Sequence, residues 1–387
     1  MEDVRFGIIG IGTMGSNHAG WLRDGLVEGA KVTAVCDIAQ DRRAWAAEAL
    51  PGVAVFDEYH KLLASGLVDA VIIATPHYLH PVIAIDALEQ GLHTLVEKPA
   101  GVYTSKVREM NETAARHPEL VFGMMFNQRM NPLYQKVQEL VSGGAIGELR
   151  HVNWIITSWY RPQKYYDQSA WRATWEGEGG GVLANQAPHQ IDLLQWICGL
   201  PQTVSAHLQY GSHRKITVED DVLATFTYPN GATGVFVTCT HDVLGTDRLE
   251  LFGNKGKIVI ENSRKATVRI LRRPEEELNA ELTFDDVRNL VRGEGGMAQL
   301  YDETVYDIPD QWGIQHQHVT ANFTAAIRTG TPLVAPGSEG IKGLTLSNAM
   351  HLSSWLGRPV EVPFDEALFY EELQKRIAEE RTAKERG

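Results

Sequence analysis

Short apolar runs alternate with segments of helix length over the first third of the chain. The runs are rich in Val and Ile and lie at residues 4–9, 31–36, 53–56, 69–74, 92–96 and 121–126. Strands that are apolar throughout need a cover on both faces, so the pattern favours a parallel sheet between helical layers. Six such strands are typical of a dinucleotide-binding domain, which we predict for residues 1–127.

The pattern changes after residue 132, where alternating strands follow one another without intervening helices. Strands are predicted at 203–210, 222–228, 233–240, 248–252 and 257–261, and they indicate a mostly antiparallel sheet. Helices are predicted at 182–198, 315–328, 340–355 and 366–386. We therefore expect an α/β domain followed by a second domain of the α+β class at residues 128–387.

The charge balance narrows the classes of partner. With 36 Lys and Arg against 49 Asp and Glu, the formal net charge is -13, which repels nucleic-acid phosphates and anionic lipid headgroups. The 3 cysteines are widely spaced and make neither a disulfide framework nor a thiolate metal site. Since we find no leader-like N-terminus and no apolar run of membrane length, we predict a cytoplasmic protein that binds neither nucleic acid nor a membrane.

A glycine-rich turn follows the first predicted strand directly and opens a helix. Its G-x-G-x-x-G pattern contains Gly10, Gly12, Thr13, Met14 and Gly15, in the strand, turn and helix context that a pyrophosphate site requires. Gly10 permits the tight turn, Gly12 lets the backbone approach the pyrophosphate, and Gly15 lets the helix pack close to the strand. The amides at the helix N-terminus then bind the phosphates.

Asp37 closes the second predicted strand, where a carboxylate accepts hydrogen bonds from the adenosine ribose. Because this carboxylate repels a 2′-phosphate, the residue favours NAD over NADP. Two alternatives stay open. Asp37 caps the helix that follows, or Arg42 or Arg43 swings in to hold a 2′-phosphate.

Glu97, Lys98 and Pro99 end the fifth predicted strand, at the sheet edge where open α/β folds bind ligands. A cis peptide bond before Pro99 would turn the Lys98 ammonium toward that crevice. A plain surface turn is the alternative for this tripeptide.

A triple glycine at residues 179–181 precedes a helical pattern that carries three polar residues. Asn185, His189 and Asp192 have the spacing i, i+4 and i+7, which places them on one face of the predicted helix. By itself this pattern favours a buried structural histidine.

Taken together, these motifs resemble those of the glucose–fructose oxidoreductase, inositol dehydrogenase and rhizopine-catabolism (Gfo/Idh/MocA) family. The resemblance covers essentially the whole chain and includes Thr75-Pro76 with His80, Asn127 with Arg129 and Pro132, and the run at 335–340. It implies an N-terminal Rossmann domain and a C-terminal α+β domain whose large, mostly antiparallel open sheet joins subunits into a dimer or tetramer. It also implies NAD-dependent chemistry on a sugar or cyclitol.

The resemblance also assigns site residues. Lys98 and His189 map to the pair that lies beside the reacting carbinol, and Asn185 stands where the family has an aspartate, so its amide orients the imidazole without charge. Which of the pair exchanges the proton is left open. Cofactor contacts are expected from Gly10, Gly12, Thr13, Met14, Gly15, Asp37, Thr75, His80, Glu97 and Lys98. Substrate contacts are expected from Lys98, Arg129, Trp171, Arg172, Asn185 and His189.

Aromatic residues are concentrated in a loop-like segment before the triple glycine. The segment contains Trp154, Trp159, Tyr160, Tyr165, Tyr166, Trp171 and Trp175. Such density suits stacking on the apolar face of a pyranose. Subunit contact explains it nearly as well, and both explanations also apply to Arg172.

Two histidine pairs have the spacing of metal ligands. They are His77 with His80 and His316 with His318. We find no compelling third ligand near either pair in the sequence, so we predict no metal site.

The sequence therefore predicts an NAD(H)-dependent oxidoreductase that transfers a hydride to or from a secondary alcohol of a sugar, glycoside or cyclitol. The hydroxyl proton needs a base, for which Lys98 and His189 are the candidates. Two alternatives are kept. One is a redox-neutral glycosidase or lyase that oxidises its substrate transiently with NAD, and the other is a catalytically silent sugar-binding homologue.

Overall fold

The first sheet of the protein is parallel. The computed structural model describes residues 2–309 and 313–386. The sheet contains β1 (Val4–Ile9), β2 (Ala30–Cys36), β3 (Ala54–Phe56), β4 (Ala70–Ile73), β5 (His93–Val96) and β6 (Phe122–Met124), in the order β3-β2-β1-β4-β5-β6. The predicted strands are confirmed, with ends that shift by one or two residues.

Helices connect these strands and create a ligand crevice. They are α1 (Thr13–Arg23), α2 (Gln40–Ala49), α3 (Tyr59–Leu63), α4 (Leu79–Glu89) and α5 (Thr104–Arg116). The chain leaves β1 toward β2 and β3 on one side, and later adds β4, β5 and β6 on the other side. Such a reversal opens a crevice at the carboxyl ends of the strands, which brings the glycine-rich turn after β1 close to Thr75 and Lys98.

The second sheet is large, open and mostly antiparallel, as predicted. Across the described residues it contains β7 (Leu149–Ile156), β8 (Thr203–Tyr210), β9 (Glu219–Thr227), β10 (Thr233–Cys239), β11 (Asp247–Gly253), β12 (Gly256–Glu261), β13 (Lys265–Leu271), β14 (Tyr301–Asp307) and β15 (Val360–Glu361). Their order is β14-β13-β12-β11-β7-β10-β9-β8-β15, and β7 pairs with β10 in parallel. The strands β7, β13 and β14 were not predicted, whereas β15 lies within the extended segment that the sequence predicts at residues 358–363.

The strand β7 corrects the prediction of a loop around Trp154. The Trp154 side chain is fully buried, and its ring centroid lies 6.3 Å from that of Tyr134 and 6.4 Å from that of Phe236. Trp175 is also buried, with 3% of its surface exposed. These two tryptophans therefore belong to the hydrophobic core. Trp154 points inward because alternate residues of a strand point to the same face.

The second half contains the four predicted helices, one of which starts later than predicted, and four helices that were not predicted. They are α6 (Pro132–Ser142), α7 (Gln163–Tyr166), α8 (Pro188–Cys198), α9 (Glu275–Glu281), α10 (Phe284–Arg292), α11 (Ile314–Thr329), α12 (Gly340–Leu356) and α13 (Glu366–Arg386). The helices α6, α7, α9 and α10 were not predicted. The predicted helix at 182–198 begins only at Pro188. Proline is favoured in the first turn of a helix, where its missing N–H is not needed, and the preceding residues 182–187 form turns.

The helix α11 returns from the second half of the chain to the first sheet. Its residues Val319 and Phe323 join the buried cluster that contains Phe6 of β1, and the Phe6 and Phe323 ring centroids lie 6.2 Å apart. The division into residues 1–127 and 128–387 stays a prediction, since this helix contributes to the core of the first sheet.

Candidate active site

The turn between β1 and α1 has the geometry that its glycines predict. Gly10 has a φ of +85°, and a Cβ built there would lie 2.7 Å from the carbonyl oxygen of Ala74. A Cβ at Gly15 would lie 1.8 Å from the carbonyl oxygen of Gly10. By contrast, a Cβ at Gly12 would meet no heavy atom of the described chain within 4 Å. Gly10 and Gly15 thus permit the tight turn and close packing, while Gly12 leaves the backbone open to a ligand.

Asp37 lines the crevice and accepts two backbone hydrogen bonds. Its Oδ2 accepts from the Ile11 amide at 2.9 Å, and its Oδ1 accepts from the Ala39 amide at 2.9 Å. The Ala39 contact forms a turn before α2, but the N-cap of α2 is Ala39 and has no side-chain cap, so Asp37 does not cap that helix. Each carboxylate oxygen keeps a lone pair, so these contacts are compatible with the predicted ribose hydrogen bonds.

The two arginines that follow Asp37 are held by other groups. The Arg42 guanidinium donates to the Ile11 carbonyl at 2.7 Å and to the Ser16 hydroxyl at 2.6 Å. Arg43 donates to the carbonyl oxygen of Asp37 at 2.8 Å. A 2′-phosphate would have to draw either side chain away from these partners, which supports the expected preference for NAD.

One cleft joins the glycine-rich turn to the predicted catalytic lysine. Its volume is about 460 Å³, within the roughly 300–1,000 Å³ that is typical of small-molecule and cofactor sites. The Thr75 hydroxyl oxygen in its wall is buried without a hydrogen-bond partner among the described residues. Of the predicted site residues, those that line the cleft are Gly10, Gly12, Thr13, Met14, Asp37, Thr75, His80, Glu97, Lys98, Trp171, Arg172 and Asn185.

Glu97 forms a buried pair that the sequence did not indicate. Its Oε1 lies 2.8 Å from Nε2 of His18 in α1, and its Oε2 accepts from the Lys98 amide at 3.2 Å. Burial alone would raise the pKa of Glu97, but His18 and the neighbouring positive charges lower it to about 2. Glu97 is therefore a fixed anion that positions the backbone of Lys98.

Lys98 points into the cleft as predicted. The Lys98-Pro99 peptide bond is cis, and the Lys98 Nζ donates to the carbonyl oxygen of Asn185 at 3.0 Å. Burial lowers the pKa of Lys98, and the carboxylates of Glu97 and Glu178 offset only part of this effect. Lys98 therefore loses its proton more readily than a surface lysine does, and a proton acceptor has to be in this neutral form.

The position of Asn185 differs from the prediction that it shares a helical face with His189 and Asp192. It lies before α8, so it does not share a helical face with His189 and Asp192. Its side-chain amide donates to the Glu178 carboxylate in a short contact, and to the Tyr165 hydroxyl at 3.4 Å. The expected role of orienting the His189 imidazole is therefore not what this amide does.

Glu178 contacts cleft residues and was also missed by the sequence reasoning. Its side chain is 2% exposed, its Oε2 accepts from the Ala173 amide at 2.6 Å, and its Oε1 lies 3.9 Å from the Arg172 guanidinium. Burial raises the pKa of the Glu178 carboxyl. A carboxylate directly before a triple glycine was the available signal, since such glycines let the backbone bring a neighbouring side chain close to the site.

His189 occupies the first turn of α8 and is half-buried. Its Nδ1 is buried without a hydrogen-bond partner in the part of the chain that the structure describes. Burial, together with the charges of Lys98 and His316, holds the pKa of His189 well below its usual value. The imidazole is therefore neutral, but His189 is not among the described residues that line the cleft.

Arg129 corrects a second prediction, because it is a structural residue and not a substrate contact. Its side chain is fully buried, and it donates to Asp192 at 2.8 and 2.6 Å. Its remaining nitrogen donates to Glu339 in a short contact and to the Val334 carbonyl at 3.3 Å. The guanidinium is thus occupied by three segments of the chain.

Trp171 and Arg172 line the same cleft as the glycine-rich turn. The Arg172 guanidinium lies 4.8 Å from the Tyr165 ring centroid and 5.0 Å from that of Trp171, and it donates to the Tyr165 hydroxyl at 2.8 Å. Both residues line the cleft, which supports the substrate explanation for this part of the aromatic segment.

The histidines of the cleft have protein partners. The His80 ring nitrogens lie 2.7 Å from the carbonyl oxygens of Pro99 and Thr75, and the His77 Nδ1 lies 3.0 Å from the carbonyl oxygen of Glu178. His316 lies near His18, with ring centroids 6.2 Å apart, and burial lowers its pKa to about 4. His77 and His80 therefore brace the site through backbone carbonyls.

Two segments of the chain match the sequence patterns of a known enzyme family. Residues 4–124 match the NAD-binding Rossmann fold of the Gfo/Idh/MocA oxidoreductases, and residues 134–259 match the C-terminal domain of the same family. The chain belongs to the Gfo/Idh/MocA family. It is accordingly an oxidoreductase, and its cofactor is NAD. The family resemblance predicted from the sequence motifs is confirmed.

Relatives of this Gfo/Idh/MocA protein are distant but cover it well. The uncharacterized oxidoreductase YrbE of Bacillus subtilis is 24% identical over 95% of this chain and 99% of its own length. The myo-inositol 2-dehydrogenase of Thermotoga maritima is 26% identical over 68% of this chain and 77% of its own length. The structure of the WlbA dehydrogenase from Bordetella pertussis, with NADH and UDP-GlcNAcA, is 25% identical, with a TM-score of 0.75 over 94% of this chain and 100% of that chain.

In the described part of this Gfo/Idh/MocA chain, the longest helices are too short or too polar to cross a bilayer.

Proposed function

We propose that this protein is an NAD(H)-dependent dehydrogenase that takes a hydride from a secondary alcohol of a sugar, glycoside or cyclitol, or returns one to the ketone. The observation that carries the proposal is the continuous cleft. It begins at the glycine-rich turn and ends at Lys98, Trp171 and Arg172. The names of the inositol dehydrogenase and of the nucleotide-sugar complex are in keeping with a polyhydroxylated substrate.

The chain holds the cofactor through groups already described. The amides that follow Gly12 would bind the pyrophosphate, Asp37 would accept hydrogen bonds from the ribose, and the unpartnered Thr75 hydroxyl offers a polar group in the same cleft. When bound, NAD supplies the acceptor or donor of the hydride. The protein residues then have to bind the alcohol and to move its proton.

Lys98 is the proposed proton acceptor in alcohol oxidation. Its amine shares the cleft with the substrate, and its burial makes the neutral form accessible. When it takes the hydroxyl proton it becomes an ammonium, which the Asn185 carbonyl and the negative charge of Glu178 stabilise. His189 stays neutral and remains the second candidate for this role.

Substrate recognition is proposed for Trp171 and Arg172, which line the cleft. The indole of Trp171 offers a flat apolar surface for a pyranose or cyclitol ring, and Arg172 offers N–H donors to hydroxyl or anionic groups. The Tyr165 hydroxyl holds Arg172 in place at 2.8 Å, so the donors are fixed before a ligand arrives.

The test is a screen of glycosides, free sugars and inositols with NAD, followed by NADH absorbance and by product chromatography. Net NADH from the wild-type chain, lost in Lys98→Met, is the expected result. Cleavage without NADH would replace the proposal with the redox-neutral glycosidase or lyase. Neither NADH nor cleavage with any compound would favour the silent sugar-binding homologue.

We further propose a homo-oligomer, a dimer or tetramer, that forms through the outward face of the second sheet. Leu223, Val237 and Ile155 lie in one cross-strand row of that face, and Leu223 and Ile155 are 47% and 40% exposed. Sedimentation analysis of Leu223→Lys should show a smaller species than the wild type. Leu26→Lys, at a 54% exposed position of the first domain, is the matched control. A wild-type monomer would refute the proposal.

A further inference from the structure

Three ligating side chains from separate segments meet at one end of the second sheet, away from the cleft. They are His213 in the connection between β8 and β9, Asp221 in β9, and His241 just after β10. Their potential ligand atoms all lie within 4.8 Å of one another. The His241 Nε2 is 2.9 Å from the Asp221 Oδ2, and the His213 and His241 ring centroids are 3.8 Å apart.

The fold holds this cluster from beneath through Asp220. The Asp220 side chain is fully buried, and its carboxylate accepts from the His213 amide at 2.7 Å and from the Ser212 amide at 3.3 Å. Its carbonyl oxygen accepts from the Thr240 amide at 3.0 Å, next to His241. Because successive side chains of a strand point to opposite faces, Asp220 anchors the backbone inside while Asp221 faces outward.

We propose that His213, Asp221 and His241 form a Zn²⁺ site. Two imidazoles and one carboxylate are a ligand set that zinc prefers, and three protein ligands leave a fourth position for water. Mg²⁺ and Ca²⁺ prefer oxygen ligands and are poorly served by two imidazoles. This differs from the expectation of no metal, which considered only histidines that are close in sequence.

A bound zinc ion would also stabilise the segment that holds Arg172 of the cleft. The Arg214 Nε donates to the Arg161 carbonyl at 2.7 Å, the Lys215 amide donates to the Gln163 side chain at 2.8 Å, and the Arg161 amide donates to the Thr240 carbonyl at 2.9 Å. The residues next to His213 and His241 in the chain thus hold residues 161–163 in place. The helix α7 that follows carries Tyr165.

Tyr165 completes the link to the site, since its hydroxyl contacts Arg172 and Asn185 at 2.8 and 3.4 Å. A metal ion bound by His213 and His241 would therefore connect the two segments that hold the chain around Tyr165. Zinc binding itself does not depend on the proposed reaction, so the two proposals fail independently.

The test is a Zn²⁺ titration of the purified, metal-stripped full-length chain against a chromophoric chelator, with Co²⁺ as a visible spectroscopic probe. We expect one ion per chain and no competition from Mg²⁺. The absorption spectrum of bound Co²⁺ should be that of a four-coordinate ion. His213→Ala and His241→Ala should weaken binding by about a hundredfold or more, since even outer-shell substitutions cost 10- to 100-fold. Asp221→Asn keeps the side-chain shape and should also weaken binding.

His117→Ala is the matched control. His117 contacts Glu89 at 3.4 Å and Glu119 at 3.5 Å through opposite ring nitrogens, so its carboxylate partners do not converge on one ion. Its replacement should leave zinc affinity unchanged. Absence of binding in the wild type, or equal affinity in all three site variants and the control, would overturn the site. Hydrogen exchange in residues 160–167 should slow on zinc addition, and an unchanged rate would overturn the link to the cleft.

Discussion

Replacing Arg129 by Met tests whether this arginine is structural, as the geometry indicates, or binds substrate, as the motif suggested. The substitution keeps an unbranched apolar stem between the rings of Phe126 and Trp196, whose centroids lie 5.2 and 5.3 Å from the guanidinium. It removes the paired hydrogen bonds to Asp192, whose side chain is only 1% exposed. Asp192 is then a buried carboxylate without its cation.

The expected cost follows from that burial. Removing one partner of a buried ion pair typically destabilises a protein by about 3–5 kcal/mol, because the remaining charge is uncompensated. For a domain of this size, this corresponds to a Tm lower by roughly 6–20 °C. NADH affinity of the folded variant and KM for the substrate should change little, since Arg129 is fully buried.

The deficit should also depend on pH. Burial already raises the pKa of Asp192, and loss of the guanidinium raises it further. A carboxyl group whose pKa is higher in the folded state than in the unfolded state is harmless when protonated and destabilising when ionised. The loss of stability in Arg129→Met should therefore grow as the pH rises through that raised pKa.

Thermal and urea unfolding, measured from acidic to mildly alkaline pH, check both statements. Arg150→Met is the matched control, because Arg150 pairs with Glu275 at the surface with 42% of its side chain exposed, and such pairs contribute about 1 kcal/mol or less. Arg172→Met should show the opposite pattern, a raised KM with a smaller change in Tm. An Arg129→Met protein with wild-type stability and a raised KM would refute the structural role.

Three further predictions concern the cleft. NADH should bind more tightly than NADPH in a fluorescence titration because Asp37 repels a 2′-phosphate, and equal or tighter NADPH binding would contradict that assignment. Lys98→Met should lower kcat on the order of a hundredfold or more while NADH affinity stays near normal, and unchanged kcat would remove Lys98 from proton transfer. Glu178→Gln removes a charge that raises the pKa of Lys98 but is not among those acting on His189, so the acidic limb of kcat/KM for oxidation should move to lower pH if Lys98 is the base. Glu176→Gln, two residues away and paired with Arg381 at the surface, is its control, and an unmoved limb would favour His189.

The local parts of the site could be predicted from the sequence. Gly10, Gly12 and Gly15 lie in one turn, and their roles follow from backbone geometry that neighbouring residues impose. Lys98 follows a buried parallel strand, and the carboxyl ends of such strands meet at the ligand crevice. The six strands of the first sheet follow from their apolar runs, and the family resemblance follows from the short motifs that lie between and after them.

The pairing of side chains across the chain was decided by the tertiary structure. Arg129 finds Asp192 and Glu339, which are 63 and 210 residues away, because a buried guanidinium must have its donors satisfied wherever the fold supplies acceptors. Glu178 takes its place beside Asn185 because α8 begins only at Pro188, which leaves the preceding segment free to turn back. His213, Asp221 and His241 share no short motif. Pairing of β9 with β10 brings His241 to Asp221, and the Asp220 carboxylate holds the backbone of His213 nearby. Their contacts arise from long-range packing, which local periodicity does not encode.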